Sequence, residues 1–366
     1  MKIMFCLGSL NKGGAERVVS NLSNEFVRKN NDVTIVTTIK CTTLAYKLDK
    51  KIRIFSLDKN DNKSNKISRN IKRIQKLKRI ILKENPDIIL TFLPEPTYRV
   101  MLVNLFTRKK VIISVRNDPN IEYNNLIKKL LVKLLYTSAN GFVFQTNDAK
   151  EWFSKKIQEK SVIIYNPIGQ EFLCEPYNGK RENKIVSVGR LVEQKNHKML
   201  IDAFNKIKDD IREYKLYIYG DGPLKEQLIS YITKLKLLDR VIIAGNVNDI
   251  KEKIYKSKLF VLTSNYEGMP NSLIEAMSLG VPCISTDCKI GGPKELLENE
   301  KNGLLVNVED SNELAKKMLL LIRDEKLSKE ISKNGNKKCK DLSIEIIANK
   351  WIDYIKRISD IYEKRV

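Results

Sequence analysis

Short β-branched runs bounded by turn residues recur along the whole chain, and each is followed by a stretch with helical apolar spacing. No other feature constrains the fold as much. In the first half the runs are residues 2–7, 33–38, 52–57, 87–92, 111–115, 141–144 and 162–165; in the second they are 185–188, 216–219, 241–244, 259–263, 283–286 and 303–306. Strand, helix and strand in regular succession demand crossover connections, so the expected fold class is α/β with parallel sheets covered by helices. The 366 residues exceed what one hydrophobic core holds, about 250–300 residues, which predicts two domains. Residues 166–181 carry Pro167, Gly169, Pro176 and Gly179 with little periodicity, the composition of a connector. The expected division is a first domain over 1–168, a linker over 169–182, a second domain over 183–343 and a closing helix over 344–366. Ile347, Trp351, Ile355 and Ile358 recur at helical spacing in that last segment.

Apolar residues make up 42% of the chain and are interrupted throughout by charge, as in a globular protein. No apolar run approaches the roughly 18 residues that cross a bilayer. The first ten residues hold one lysine and run into glycines without a small-residue cleavage site, so they read as a first strand and not as a signal peptide. Six scattered cysteines form no CxxC pair, which argues against a disulfide framework and a zinc site and suits a reducing cytoplasm. His197 is the single histidine, so a multi-histidine metal centre is excluded. The remaining chemical tools are carboxylates, Lys/Arg cations and backbone dipoles. Net charge is +23, and residues 1–180 contribute 33 basic against 16 acidic side chains. Such a field attracts a polyanion: nucleic acid, an anionic membrane surface or a phosphorylated substrate.

The strongest local pattern runs from Glu267 through Gly268, Met269, Pro270, Asn271 and Ser272 to Glu275 and Pro282, between two expected strands. Pro270 suits the first turn of a short helix that Asn271 or Ser272 can cap, and the free N–H groups of that turn form an anion site fit for a diphosphate. Glu267 falls in the loop and Glu275 on the helix, where two carboxylates beside an anion site accept from the hydroxyls of a ribose or hexose. The plainer alternative makes Glu267 a partner of the helix dipole and Glu275 a surface charge. A second pattern is Gly189-Arg190 followed by Lys195, with both cations on the loop after the first strand of the second domain, able to reach a ligand phosphate or simply solvated. Gly220-Asp221-Gly222-Pro223 reads first as a turn with backbone room beside it. Gly13-Gly14, ahead of Ala15 and Glu16, is either a close backbone approach to a ligand or a tight turn, and it fits neither the dinucleotide nor the Walker pattern.

Residues 59–83 hold ten Lys/Arg and one acidic side chain, with Ile67, Ile71, Ile74, Leu77, Ile80 and Ile81 at helical spacing. This is a basic amphipathic helix whose Lys72, Arg73, Lys76 and Arg79 could face an anionic membrane, or an ordinary crossover helix with solvated lysines. Residues 126–135 repeat the theme with Lys128, Lys129 and Lys133 among leucines.

Taken together, Gly13-Gly14-Ala15-Glu16, Gly189-Arg190 with Lys195, Gly220-Asp221-Gly222, Glu267-x7-Glu275 and Gly291-Gly292-Pro293-x-Glu295 ahead of Asn302-Gly303-Leu304-Leu305-Val306 resemble the retaining glycosyltransferases of family 4 over nearly the whole chain. The resemblance implies a GT-B fold, two Rossmann-like domains with parallel sheets facing a central cleft. It puts the nucleotide-sugar donor on the second domain, the acceptor on the first, and a final helix packing back on the first. It assigns Arg190 and Lys195 to the donor diphosphate with the helix start at Asn271-Ser272, Glu275 to the ribose, Glu267 to the transferred sugar, and Gly13, Gly14, Gly189, Gly222, Met269 and Pro270 to the donor site. No cofactor or metal is implied. Many relatives carry a histidine near the transferred sugar in a first-domain loop; this chain has Ser114-Val115-Arg116-Asn117-Asp118 there. Either Arg116 or Asn117 takes over those contacts, beside Glu16, or the donor sugar differs. Pro270-Asn271 and Ser285-Thr286-Asp287-Cys288 resemble the branch that builds bacterial surface polysaccharides, capsule or lipopolysaccharide, on polyprenyl diphosphate. That implies transfer of a hexose or N-acetylhexosamine from a UDP-sugar to a lipid-linked or saccharide acceptor at the inner face of the cytoplasmic membrane. The competing readings are a nucleotide-sugar epimerase and a nucleic-acid-binding protein; residues 59–83 lack the interleaved aromatics that the latter needs.

Overall fold

The structure, a computed structural model, describes residues 1–11, 13–40, 44–58 and 65–363; Cys41 and residues 59–64 of the basic segment lie outside them. The chain divides into two compact units, Met1–Pro167 with Ile344–Val366, and Ile168–Ser343.

The first unit holds β1 (Lys2–Leu7), β2 (Asp32–Thr37), β3 (Arg53–Ser56), β4 (Ile88–Phe92), β5 (Lys110–Ser114), β6 (Gly141–Phe144) and β7 (Ser161–Ile163). All pair in parallel, in the order β3-β2-β1-β4-β5-β6-β7. The second holds β8 (Glu182–Val188), β9 (Lys215–Tyr219), β10 (Val241–Gly245), β11 (Ser257–Leu262), β12 (Cys283–Thr286) and β13 (Leu304–Val306), also parallel, in the order β10-β9-β8-β11-β12-β13. Each expected run lies on one of these strands, with ends shifted by a few residues. Every residue of β4 is buried, because helices cover both faces of a parallel sheet and the strand can carry a continuous apolar run. Each sheet reverses its winding once, between β1 and β4 and between β8 and β11. The loops leaving those neighbouring strands diverge there, which opens a crevice at the carboxyl ends.

The helix Ile344–Glu363 belongs to the first unit. Its Ile347, Trp351 and Ile355 are fully buried, and the Trp351 ring stacks on Phe92 at 6.0 Å. The Tyr354 hydroxyl accepts from the Phe142 N–H at 2.9 Å and donates to the Lys160 carbonyl at 2.6 Å, which ties the helix to β6 and to the residue before β7.

Residues 169–182 depart from the linker reading, for they fold onto the second unit. Phe172 is buried and its carbonyl accepts from the Ser278 hydroxyl, while the Arg181 guanidinium donates to the carbonyls of Tyr255, Ser257 and Gly280. Prolines and glycines hid this, because the segment is held by one aromatic and one arginine and not by periodic contacts. Ile168 pairs with Ser343, so the chain passes between the units at adjacent positions.

Replacing Tyr354 by Phe removes one partner each from the Phe142 N–H and the Lys160 carbonyl, which still bond each other at 3.1 Å. We expect Tyr354→Phe to cost about 0.5–1.5 kcal/mol, read as a lowered urea midpoint with an unchanged slope; an unchanged midpoint would contradict this account of how the helix is held.

Candidate functional site

Within the second unit, the loops that leave β8 and β11 at the switch point are stitched to each other. The Asn265 N–H donates to the Gln194 carbonyl at 2.8 Å, the Gln194 side chain to the Tyr266 carbonyl at 3.0 Å, and the Thr263 hydroxyl approaches the carbonyls of Lys195 and Asn196 at 3.0 Å each. This stitching brings together two of the residues singled out in the sequence. Lys195 forms an ion pair with Glu267, and the Ser264 hydroxyl donates to the same carboxylate oxygen at 2.7 Å. The side chains of Lys195 and Glu267 are only 13% and 9% exposed. Burying a carboxylate is expensive unless it is paired and hydrogen-bonded, and here it is both. Ser264, itself fully buried, was not singled out beforehand; its position two residues beyond β11, at the switch point, is the signal that would have found it.

Arg190 is exposed on the same loop after β8, with no carboxylate within 4 Å among the described residues. Its backbone is fixed from two sides. The Leu191 N–H donates to the Asp221 carbonyl, and a Cβ on Gly220 or Gly222 would collide with the carbonyl oxygens of Gly189 and Leu191. Gly220 also has φ +149, where L side chains are strained. The Gly-Asp-Gly turn is thus a backbone brace for the cationic loop, and Gly222 contributes through that brace.

From the other side His197, 3% exposed, donates from Nε2 to the Arg190 carbonyl at 3.2 Å, while its Nδ1 is buried without a partner. Burial pulls this imidazole down to about 4 against the opposing pull of its backbone hydrogen bond. The single histidine is a neutral prop for the loop.

The helix Asn271–Ser278 starts beside this pair, with Pro270 as its N-cap residue and no side chain capping it. The expected cap at Asn271 or Ser272 is therefore corrected: both lie inside the first turn, because Pro270 already has extended geometry at φ −76 and ψ 110. Glu275 is 6% exposed and Glu267 7%, so the reading of Glu275 as a surface charge does not hold. Met269 is buried in the loop, and Gly292, after β12, has its Cα against the Gly268 carbonyl, where a Cβ would overlap. A cavity of about 280 Å³ on the flank of the helix His197–Ile207 is lined by Glu193, Asn196, Leu224 and Tyr231 but by neither Lys195 nor Glu267.

In the first unit, Gly13 is the N-cap of the helix Gly14–Arg28, and Glu16 lies folded over it at the third helical position, so a side chain at Gly13 would meet the Glu16 carboxylate. Arg116 donates to Asn166 and to Ser114 and lies over the Phe92 ring at 5.3 Å, and burial lowers its pKa. Asn117 is half-buried. On the basic helix Lys66–Glu84, Lys72 and Arg79 are exposed and Lys76 is half-buried, whereas Arg73 turns inward to a bidentate pair with Asp58 at 2.6 and 2.7 Å. Arg73 is removed from the set of outward-facing cations, because a carboxylate two residues past β3 captures it.

Among the described residues no group of three or more His, Cys, Asp or Glu could hold a metal ion, and no helix is long and apolar enough to cross a membrane.

Comparison with known proteins identifies the family. The family described as Glycosyl transferases group 1 matches residues 175–338, and Glycosyltransferase Family 4 matches residues 12–172. An uncharacterized glycosyltransferase of Methanocaldococcus jannaschii is 31% identical over 334 residues, 77% of this chain and 82% of its own length. The chain belongs to the family 4 glycosyltransferases. A second relative of this glycosyltransferase is the Campylobacter jejuni GalNAc-alpha-(1->4)-GalNAc-alpha-(1->3)-diNAcBac-PP-undecaprenol alpha-1,4-N-acetyl-D-galactosaminyltransferase, 26% identical over 98% of this chain and 99% of its own. The crystal structure of Anabaena HepE in complex with UDP superposes with TM-score 0.80, 18% identity, and coverage of 98% of this chain and 100% of that one, which shows the GT-B fold type.

The neutral His197 makes a pH prediction for this glycosyltransferase. An unfolded histidine takes up its proton near pH 6.5 and the folded one only near 4, so its contribution to stability is whole above about 6.5 and is lost as pH falls toward 4. The Glu122 carboxyl, pushed up to about 7 by burial, works in the opposite sense, so the difference between proteins is the diagnostic quantity. Between pH 7.5 and 5, urea unfolding should show wild type losing on the order of 2 kcal/mol relative to His197→Gln. Parallel losses in both proteins would mean that the imidazole protonates normally in the fold.

Proposed function

We propose that this glycosyltransferase is a retaining enzyme that moves a hexose or N-acetylhexosamine from a UDP-sugar to a lipid-diphosphate-linked or saccharide acceptor in surface-glycan assembly. The observation that carries the reading is the Lys195–Glu267 pair at the switch point of the second sheet, beside exposed Arg190 and the start of the helix Asn271–Ser278. Two buried carboxylates, Glu267 and Glu275, would repel a diphosphate unless cations stood between. Lys195 and Arg190 supply them, and the helix N-terminus adds its dipole. When the donor's diphosphate draws on Lys195, the Glu267 carboxylate gains capacity to accept from the hydroxyls of the sugar to be moved, while Glu275 takes those of the ribose. Met269, Pro270, Asn271 and Ser272 shape that donor site from the backbone. Within the first unit, Gly13, Gly14, Glu16, Arg116 and Asn117 are read as sugar-contacting residues on the resemblance alone, Arg116 and Asn117 standing where relatives carry a histidine.

The reaction breaks the anomeric C–O bond and forms a new one to the acceptor hydroxyl, whose proton leaves with the nucleotide diphosphate. Negative charge grows on the departing diphosphate, and fixed cations aimed at it lower the barrier more than they stabilise the bound donor. No cofactor enters the scheme. The Campylobacter relative acts on an undecaprenol-linked diphosphate glycan. An acceptor of that kind is anionic and membrane-anchored, which accords with the excess of basic residues in the first half and with a peripheral position at the inner face of the cytoplasmic membrane. The same charge is read as serving acceptor and membrane, not nucleic acid.

A panel of UDP-sugars is to be offered with lipid-diphosphate and saccharide acceptors, with products read by mass spectrometry and the anomer by NMR. Donor should be consumed only when acceptor is present; consumption without acceptor and with a changed sugar would favour the epimerase reading. Lys195→Ala and Glu275→Ala should each lower turnover by roughly 10²–10³-fold; Lys195→Ala also strands the buried Glu267 carboxylate and should lower the melting temperature, so turnover is compared at a temperature where circular dichroism shows both variants folded. Near-normal turnover in both variants would refute the donor-site assignment.

A further inference from the structure

The large apolar side chains left in solvent are unevenly distributed. Among the described residues, the second unit exposes only Leu238 and Leu320, whereas the first carries most of its own on three helices: Ile67, Ile71 and Leu82 on Lys66–Glu84, and a larger group on Pro94–Thr107 and Leu126–Leu135, which pack against each other. Leu105 and Phe106 are 60% and 72% exposed at the end of one; Leu126, Ile127, Leu130 and Leu134 are 84%, 73%, 54% and 63% exposed along the other. The spacing 126, 127, 130, 134 is one helical face, and in Leu126–Leu135 that face points to water while only Val132 is buried. A helix that turns its apolar stripe outward in a folded protein marks a surface that is covered in use.

The border of this surface says what covers it. The helix Leu126–Leu135 carries three lysines and no acidic residue. Lys129 and Lys133 are exposed beside the leucines, Arg108 is exposed just after Phe106, and the Lys78 ammonium stands 4.9 Å over the Phe106 ring. Isolated leucines ringed by cations fit an interface in which apolar side chains enter acyl chains while lysines meet anionic headgroups.

We propose that the exposed faces of Pro94–Thr107 and Leu126–Leu135 are where this protein sits on an anionic lipid bilayer, with Phe106 and Leu130 inserted and Arg108, Lys129 and Lys133 at headgroup level. The basic helix Lys66–Glu84 is then secondary, since its Arg73 is committed to Asp58. The proposal deepens the reading that the acceptor is lipid-linked, and its test needs no acceptor.

The full chain is to be floated with vesicles of phosphatidylcholine alone and with roughly 30 mol % phosphatidylglycerol added. Flotation should require the anionic lipid and fall only partly at high salt, because the apolar share of the binding is not screened. The variant Phe106→Ser with Leu130→Gln should lose flotation by about tenfold or more, with an unchanged melting temperature and unchanged turnover on a water-soluble acceptor. Lys72→Gln with Arg79→Gln should float within about twofold of wild type. If the apolar variant floats like wild type, or the basic-helix variant alone fails to float, the surface is wrong. A wild-type dimer in sedimentation that Leu130→Gln dissolves would overturn the proposal in favour of a second copy as occupant. Loss of turnover on lipid-linked acceptor with normal turnover on the soluble one would tie the surface to substrate access, and absent turnover on both with normal flotation would count against the transferase scheme alone.

Discussion

The second unit depends on a charge held where water is scarce. Glu267 sits in a loop that its own strand cannot stabilise, and a carboxylate at 9% exposure would pull the loop toward solvent if nothing satisfied it. Lys195 and Ser264 satisfy it from two different segments, one after β8 and one after β11, so the pair also closes the seam between loops that the sheet reversal drives apart. Such a pair adds little net stability over an apolar equivalent, since desolvation offsets most of the attraction. Its consequence is positional. A lysine that must stay with Glu267 cannot wander, and a ligand anion that competes for it meets a cation already in place, with little ordering left to do.

Position of that quality requires a stiff backbone, and the stiffness comes from groups with no chemistry of their own. Gly220 and Gly222 let β9's exit lie directly on the Gly189–Leu191 backbone, and Gly292 does the same for the loop that carries Gly268. Any side chain at these positions would push the cationic loop away from Glu267. His197 acts similarly: an uncharged imidazole at the start of its helix holds the Arg190 carbonyl, and a protonated one there would place a charge with no carboxylate to receive it. The exposed Arg190 guanidinium therefore projects from a main chain that is anchored on both sides.

The architecture was legible because parallel strands buried on both faces leave continuous β-branched runs, and all thirteen stand on strands in the structure. The loops of the candidate site could be singled out too, because Gly189, Arg190, Lys195, Glu267 and Glu275 sit in recognisable order, and the structure pairs Lys195 with Glu267. What could not be read was contact between distant segments. Nothing in the order of residues says that Lys195 reaches Glu267, 72 positions later, or that Arg73 is taken by Asp58 and so lost to the solvent face. The segment 169–182 failed for the same reason, since Phe172 and Arg181 find their partners a hundred positions away. The Pro270 cap failed at the smallest scale, where one residue's extended geometry decides which N–H groups start the helix.

Both units wind their strands in the same order about one reversal, yet their surfaces have little in common. A shared topology supplies only the place where loops diverge; what happens there depends on the side chains those loops carry. In the second unit the loops carry a paired lysine, a free guanidinium and two buried carboxylates, the set suited to a polyol bearing a diphosphate. In the first, the corresponding turn after β1 offers Gly13 with Glu16 folded over it. Acid-free clusters of basic residues stand instead on its helices, among outward leucines in Leu126–Leu135. An acceptor that presents its own diphosphate on a lipid would be met by such a surface through long-range attraction and apolar contact together, whereas the donor needs a few groups held still. Under the proposed function, the division of charge between the halves matches that difference in what each would grip.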